Sequence, residues 1–359
     1  MERILLIGNR TKGRGGMETV FKKFASLLAS TGKYQVEILF VRAKNPRNHH
    51  EWLENIPHQF STRPLPFRAA ELFSAVFLLK KQLKNHPPKL IIAFDHNGLK
   101  VARYAFFGQR THPPLCYWRH FGLQTLRPRN YRLVREADYH FSISDAGISD
   151  MEALGIAREK IFPIYNPVTR SNDVFLPTDV SSPEFLFLGR ITFEGQKNLQ
   201  ELLRGLAGLA TPFRLHLVGE GKEKDIQALK QLAAEKGILE NLVWHGWQEN
   251  AWQYVSQHLP KLTACVLTSQ QEGFPMVLCE AMARGLICVS ADCPTGPADI
   301  IQQGHNGYLY PPKDIEGLTA ALEAAIRHPY HPEAVKQSIE RLYDEQYLAR
   351  LEKIFAQLG

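Results

Sequence analysis

Short apolar runs rich in β-branched and aromatic residues recur along the first half of the chain, at residues 4–7, 36–41, 90–94, 115–118, 139–143 and 161–165. Longer stretches with helical spacing of apolar residues separate them. The alternation resumes at 185–188, 215–218, 242–244, 264–267 and 287–290, with helical patterns between them at 199–209 and 225–235. Strand and helix alternating in this way predict parallel sheets with helices on both faces, so each half reads as a doubly wound α/β unit. The segment Asn166-Pro167-Val168 and the polar, proline-containing stretch 169–183 carry no period and read as the interdomain linker, beside which a cleft should open. This divides the chain into domains at 1–168 and 169–342.

In such folds ligands sit beyond the carboxyl ends of the strands, so the loops after each strand are where chemistry is expected. After the first strand comes Gly8-Asn9-Arg10-Thr11-Lys12-Gly13-Arg14-Gly15-Gly16, and then a helix with Met17, Val20, Phe21 and Phe24 on one face. Glycines there permit close approach to a phosphate or sugar, and Arg10, Lys12 and Arg14 add charge; plain turn chemistry accounts for the same glycines. The spacing is not the Gly-x-Gly-x-x-Gly of dinucleotide folds. After the first strand of the second half, Arg190 offers a planar fork for phosphate oxygens, and Lys197, near the next helix start, offers a mobile point charge. Together they suit a diphosphate, although either alone would be an ordinary surface cation. The run Glu272-Gly273-Phe274-Pro275-Met276-Val277-Leu278-Cys279-Glu280 follows an apolar strand and enters a helix. It places one carboxylate in a turn and the other about two helical turns along, where each could accept hydrogen bonds from a different part of an extended polyol. The helix start adds free backbone N–H groups for an anion.

Composition narrows this picture. At 359 residues, two α/β domains are expected. No stretch approaches the roughly 18 consecutive apolar residues of a membrane span, and residues 4–7 are too few for a signal-peptide core, so a cytoplasmic location is expected. Cys116, Cys265, Cys279 and Cys288 lie inside apolar patterns with no Cys-x-x-Cys pair, which predicts reduced core residues. Metal-ligand spacing and any Asp-x-Asp triplet are missing, so no metal is expected. Charge is unevenly spread: residues 1–170 hold 27 lysines and arginines against 13 acidic residues, and the remainder holds 16 against 23. A basic half suits nucleic acid, an anionic membrane surface or an acidic substrate.

Taken together, Gly15-Gly16, His120 after the 115–118 strand, Arg190 with Lys197, the Glu-x7-Glu run and a last helix resemble the retaining GT-B glycosyltransferases of family four, along nearly the whole chain. The segments Gly-Gly-Met-Glu-Thr-Val at 15–20, Tyr-Asn-Pro-Val at 165–168, Phe-Glu-Gly-Gln-Lys at 193–197, Gly-Trp-Gln at 246–248 and Glu-Gly-Phe-Pro-Met at 272–276 are similar to the lipopolysaccharide core α-1,6-galactosyltransferases within it. The resemblance implies a GT-B fold, two doubly wound Rossmann-like domains facing a central cleft, with a final helix at about 343–359 packed back on the first domain. It implies a UDP-sugar as donor substrate, UDP-galactose foremost, with no cofactor, and a lipopolysaccharide core or related glycolipid as acceptor. Glucose or N-acetylglucosamine transfer to a capsular or other cell-surface glycan is the alternative.

Roles follow residue by residue from the resemblance. Arg190 and Lys197 would hold the diphosphate, Glu280 the ribose hydroxyls, and Glu272 the sugar hydroxyls with Gly273 and backbone N–H groups of Phe274, Met276 and Val277. Gly246 and Trp247 would meet the uracil, Gly16 would lie against the phosphates, and His120 would position the donor from the first domain. A lone histidine or an aromatic residue at such places is more often structural. Retaining transfer would need no enzyme nucleophile: the leaving phosphate oxygen takes the acceptor proton while cations stabilise the growing charge. Carboxylates straddling a glycosidic bond would instead imply hydrolysis.

Two readings from other classes compete with the enzyme. A nucleic-acid-binding module lacks zinc-ligand spacing and any aromatic-rich RNA-binding motif, so no nucleic acid is expected. A silent scaffold would have lost the donor-binding residues, which are present. The segment 66–85 carries Phe67, Leu72, Phe73, Val76, Phe77, Leu79 and Leu83 with Arg68, Lys80, Lys81 and Lys84. It reads first as a core-facing helix with a solvated edge. Together with Arg127, Arg129, Arg132 and Arg135 it also suits peripheral contact with the anionic inner face of the cytoplasmic membrane.

Overall fold

The computed structural model describes residues 1–13, 15–62, 69–120, 122, 126–328 and 330–358; Arg14, Phe67, Arg68 and the side chain of Arg129 lie outside the described residues. The chain divides into two compact units, Met1–Pro167 with Asp344–Gly359, and Val168–Tyr343.

The first unit is built on seven parallel strands: β1 (Glu2–Gly8), β2 (Tyr34–Phe40), β3 (His58–Phe60), β4 (Leu90–Ala93), β5 (Leu115–Arg119), β6 (Tyr139–Ser142) and β7 (Ile161–Pro163). Their order is β3-β2-β1-β4-β5-β6-β7. Ile4, Leu5, Leu6 and Ile7 of β1 are at most 1% exposed, because a strand covered on both faces is apolar at every position. Leu5, Ile7, Leu39, Ile91 and Ala93 share a core with Ala75 and Leu79 of the helix Ala69–Asn85 and with Leu99 and Ala102 of the helix His96–Phe106. Elsewhere in the unit, Phe24 of the helix Gly16–Ser30 meets Trp118, and Phe355 of the helix Asp344–Leu358 meets Tyr34 and Phe141. Lys23 pairs with Asp344 at 2.9 Å, and Arg350 donates to the Ile164 carbonyl at 3.0 Å.

The second unit repeats the plan with six parallel strands: β8 (Glu184–Leu188), β9 (Arg214–Val218), β10 (Leu242–Gly246), β11 (Ala264–Leu267), β12 (Cys288–Ala291) and β13 (Gly307–Tyr310), in the order β10-β9-β8-β11-β12-β13. In both sheets the winding reverses beside the first strand, at β1/β4 and at β8/β11. The loops after those two strands diverge there and leave a crevice at the carboxyl edge.

Several expectations needed adjustment. Strands β3 and β13 are edge strands of three and four residues that the apolar pattern did not predict. The stretch 169–183 is bound along the second unit rather than standing free: Phe175 is buried, its N–H donates to the Arg284 carbonyl at 2.9 Å, and Leu176 bridges Lys261. The helix after Glu272 starts only at Met276, so Glu280 lies about one turn along rather than two. In the helix Ala69–Asn85, Ala75 and Leu79 are buried and Leu72, Val76 and Leu83 pack against that core, but Phe73 and Phe77 face outward, each 70% exposed. All five cysteines are free and buried. Among the described residues no helix is long and apolar enough to cross a membrane.

The β8 and β9 ends touch through glycine. Gly219 has φ +141°, and a Cβ there would lie 1.9 Å from the Gly189 carbonyl oxygen. Gly219→Ala is therefore expected to lower stability by at least about 1–3 kcal/mol through backbone strain, with a matching drop in the denaturant midpoint; an unchanged midpoint would refute the close approach.

Candidate functional site

In the first unit, a cavity of about 270 Å³ opens at the β1/β4 reversal, lined by Asn9, Arg10 and Thr11 after β1, Phe94, Asp95 and His96 after β4, and Arg119 and His120 from β5 onward. The loop after β1 is held from several sides. Asp95 Oδ2 accepts from the Asn9 N–H at 2.8 Å, while its Oδ1 caps the next helix through Asn97 and Gly98. Glu18, buried in the first helical turn, accepts from the Gly13 N–H at 2.7 Å, and Asn48 donates to the Thr11 carbonyl at 2.6 Å. Arg10 donates to the Ala43 carbonyl at 2.8 Å, so its guanidinium is half-buried rather than a freely mobile surface charge. Gly16 is the exposed first residue of its helix, and a Cβ there would meet nothing within 4 Å.

His120 is 8% exposed and packed edge-on against Phe21, with Trp118 on another side at 4.7 Å. Its Nε2 has no hydrogen-bond partner among the described residues. Burial pushes its pKa down to about 3, so the ring that lines the cavity is neutral and offers a hydrogen bond rather than a charge.

In the second unit, the β8/β11 reversal gathers the predicted diphosphate and sugar contacts. Lys197 Nζ pairs with Glu272 Oε1 at 2.8 Å, with the two side chains 18% and 10% exposed. The loops that carry them are stitched together: the Gln270 N–H donates to the Gln196 carbonyl at 2.9 Å, Gln196 Nε2 to the Gln271 carbonyl at 3.1 Å, and Thr268 Oγ1 to the Lys197 carbonyl at 3.0 Å. Thr295 donates to the Glu272 carbonyl. Arg190 is exposed and makes no ion pair or hydrogen bond among the described residues. Gly273, Phe274 and Pro275 form a buried turn seated on Gly296, and Met276 and Val277 open the helix Met276–Met282. The first N–H groups of a helix lack partners four residues back, which is why Met276 and Val277 can donate outward.

Glu280 is not held for a ligand alone. Its Oε2 accepts from the Trp252 indole at 2.8 Å, Arg284 stacks over that indole at 4.8 Å, and Arg284 also donates to the Glu280 carbonyl at 2.9 Å. Nothing in the sequence pattern singled out Trp252; an aromatic residue in the short amphipathic helix Ala251–His258 was the only available signal. The predicted base contacts sit at the end of β10, where the register with β9 shifts between Trp244 and Gly246; Gly246 has φ +68°, and Trp247 is 56% exposed. His245, the residue bulged out, is tied by both ring nitrogens, to His216 at 3.0 Å and to the Tyr254 hydroxyl at 3.0 Å; His216 continues to Glu184 at 2.9 Å. Asp95, Arg119, Thr295 and this histidine pair also went unrecognised in the sequence. Of the predicted residues, Gly16 and His120 belong to the first unit and the others to the second. Among the described residues, no three His, Cys, Asp or Glu side chains gather into a metal-binding group.

Comparison with known proteins gives concordant matches over both units. Residues 14–171 match the family model Glycosyltransferase Family 4, and residues 182–328 match Glycosyl transferases group 1. The lipopolysaccharide 1,6-galactosyltransferase of Escherichia coli (strain K12) is 34% identical over 98% of this chain and 97% of its own. The protein of the same name from Salmonella typhimurium is 33% identical over 99% of both. The apo form of the lipopolysaccharide outer core galactosyltransferase WaaB superposes with a TM-score of 0.90 at 33% identity, covering 99% of each chain.

The buried histidines make stability depend on pH. His120 is held down to about 3, and His140, whose two ring nitrogens lack partners among the described residues, is pushed down to about 4, in both cases chiefly by burial. Unfolded, both rings bind protons near pH 6.5. Between those limits the unfolded chain holds more protons, so stability is full above about pH 6.5 and falls as pH drops toward about 3. Denaturant midpoints measured across this window should fall with acid, and His140→Leu should flatten the slope. A slope identical to that of the parent would contradict it.

Proposed function

The chain belongs to glycosyltransferase family 4, and from that premise we propose that it is a retaining galactosyltransferase moving galactose from UDP-galactose onto a sugar of a lipopolysaccharide core in an α-1,6 linkage. The likeness along the full chain to lipopolysaccharide 1,6-galactosyltransferases supports the acceptor class and the sugar. The observation that carries the donor half is the Lys197–Glu272 pair at 2.8 Å where the second sheet reverses.

That pair fits a donor clamp. Lys197 has three ammonium protons, of which Glu272 takes one, leaving donors for a diphosphate oxygen; Glu272 keeps acceptor capacity for sugar hydroxyls. Arg190, exposed and unpaired among the described residues, supplies the planar second contact to the diphosphate. Glu280, fixed by Trp252, presents its carboxylate to the ribose, and the Gly246-Trp247 corner meets the base. Gly273, Phe274, Met276 and Val277 line the sugar side from the buried turn.

The acceptor hydroxyl then attacks on the face from which the diphosphate leaves. The bond from the anomeric carbon to the phosphate oxygen breaks as the new glycosidic bond forms, and the departing phosphate oxygen receives the acceptor proton. Lys197 and Arg190 stabilise the charge that grows on the phosphate, a preorganised electrostatic effect that calls for no metal or enzyme nucleophile. In the first unit, neutral His120 offers the cavity a hydrogen bond without exchanging a proton. The acceptor, a glycolipid, is reached at the anionic inner surface of the cytoplasmic membrane, which the basic first unit contacts peripherally.

Glu272→Ala and Lys197→Ala should each lower transfer by roughly a hundredfold or more, while circular dichroism stays that of the parent. Normal turnover in both purified variants would remove the assigned site. A panel of UDP-galactose, UDP-glucose and UDP-N-acetylglucosamine with truncated lipopolysaccharide, read by NMR for linkage and anomeric configuration, tests the substrate: a preferred donor other than UDP-galactose, or an inverted product, would overturn the proposal.

A further inference from the structure

The helix Ala251–His258 supports both candidate nucleoside contacts of the second unit. At about 100° per residue, Trp252 and Ser256 fall on one side of it and Tyr254 and His258 on the opposite side. On the first side, the Trp252 indole donates to Glu280 Oε2 at 2.8 Å, and Ser256 donates to Asp173 Oδ2 at 2.8 Å. Asp173 also pairs with Arg284 at 3.5 Å, and that guanidinium lies over the indole, which is therefore held on its face as well as at its N–H. On the second side, donors and acceptors follow one another in a fixed order. The Glu184 carboxylate only accepts, so His216 Nε2 carries a proton and donates to it at 2.9 Å. Burial lowers the pKa of both His216 and His245, which keeps the two rings neutral at neutral pH. His216 Nδ1 then accepts from His245 Nε2 at 3.0 Å, and His245 Nδ1 accepts from the Tyr254 hydroxyl at 3.0 Å. His245 is the residue at which β10 bulges; its carbonyl accepts from Gln248 Nε2 at 2.9 Å, and the Gly246 carbonyl accepts from the Gly219 N–H at 2.9 Å. The turn that presents Gly246 and Trp247 is thus pinned through both the side chain and the main chain of the residue before it.

We propose that Tyr254 and Trp252 are positioning residues for the nucleoside end of the donor: through His245, Tyr254 sets the Gly246-Trp247 corner against the base, and Trp252 sets the Glu280 carboxylate against the ribose. One helix then fixes the separation of the two contacts, because its two sides reach them both. Resting on the base and ribose contacts of the proposed function, this assigns the two residues to nucleoside binding and leaves the diphosphate to Arg190 and Lys197.

The test is calorimetric titration of the full chain with UDP, 2′,3′-dideoxy-UDP and inorganic pyrophosphate. Y254F removes the hydroxyl, and W252F removes the indole N–H while keeping an aromatic ring. Each should weaken UDP binding by about three- to tenfold, the worth of one hydrogen bond, and raise KM for the preferred UDP-sugar by the same factor with kcat unchanged. Pyrophosphate, which meets only the diphosphate contacts, should bind both variants as it binds the parent. W252F should lose little affinity for 2′,3′-dideoxy-UDP, which lacks the hydroxyls that Glu280 takes, whereas Y254F should lose the same factor for it as for UDP. Q257A, an exposed position on the same helix, should match the parent throughout. UDP binding equal to the parent's in either variant, or an equal loss for UDP and pyrophosphate, would overturn the proposal while leaving the proposed nucleotide contacts standing. If the parent itself binds UDP no better than pyrophosphate, those contacts fall and the positioning roles fall with them.

Discussion

A parallel sheet wound both ways from one strand must part at the strand where the winding reverses, and in each unit a central grouping of candidate residues gathers where that happens. At β1/β4 the parting produces the cavity that Asp95, Arg119 and His120 line. At β8/β11 it brings Lys197 and Glu272, 75 positions apart, to 2.8 Å. Neither grouping depends on a particular loop sequence being sticky or charged. Each follows from helices lying on both faces, which leaves the carboxyl edge as the open boundary of a sheet that is otherwise covered.

The Lys197–Glu272 pair is also where energetics and function meet. Both side chains are largely withdrawn from water, so each ion has given up much of its hydration, and the attraction between them offsets that loss. In the proposed reaction, a diphosphate arriving beside Lys197 would meet a cation already oriented and partly desolvated, which would leave less reorganisation for the reaction itself. The supporting bonds from Gln196, Thr268 and Thr295 serve the same end, because they hold the backbone of both loops rather than the ions themselves.

How far the molecule was legible in its sequence depended on whether a signal was local. The central strands were plain, since Ile4 to Ile7 and their counterparts are buried on both sides and therefore apolar throughout. Edge strands β3 and β13, half-exposed and short, carry no such run. The candidate ligand positions can be named one by one from the sequence, but their pairing cannot: no spacing tells that Lys197 meets Glu272, or that the indole of Trp252 occupies one oxygen of Glu280. Phe73 and Phe77 fit a core-facing pattern in the sequence yet are exposed, because helical period identifies apolar positions without saying which of two apolar arcs turns inward. His120 was visible as a residue, yet its neutrality arises from Phe21 and Trp118 closing around it.

The assignment of the helix Asp344–Leu358 to the first unit has a consequence for the order in which the chain becomes native. The second unit is, in effect, an insertion between two parts of the first. During synthesis from the amino terminus, residues 168–343 emerge and can complete their own core while Tyr34 and Phe141 still await Phe355. The unit that begins first is therefore finished last, and its uncovered aromatic face is the part of the nascent protein most in need of protection from aggregation.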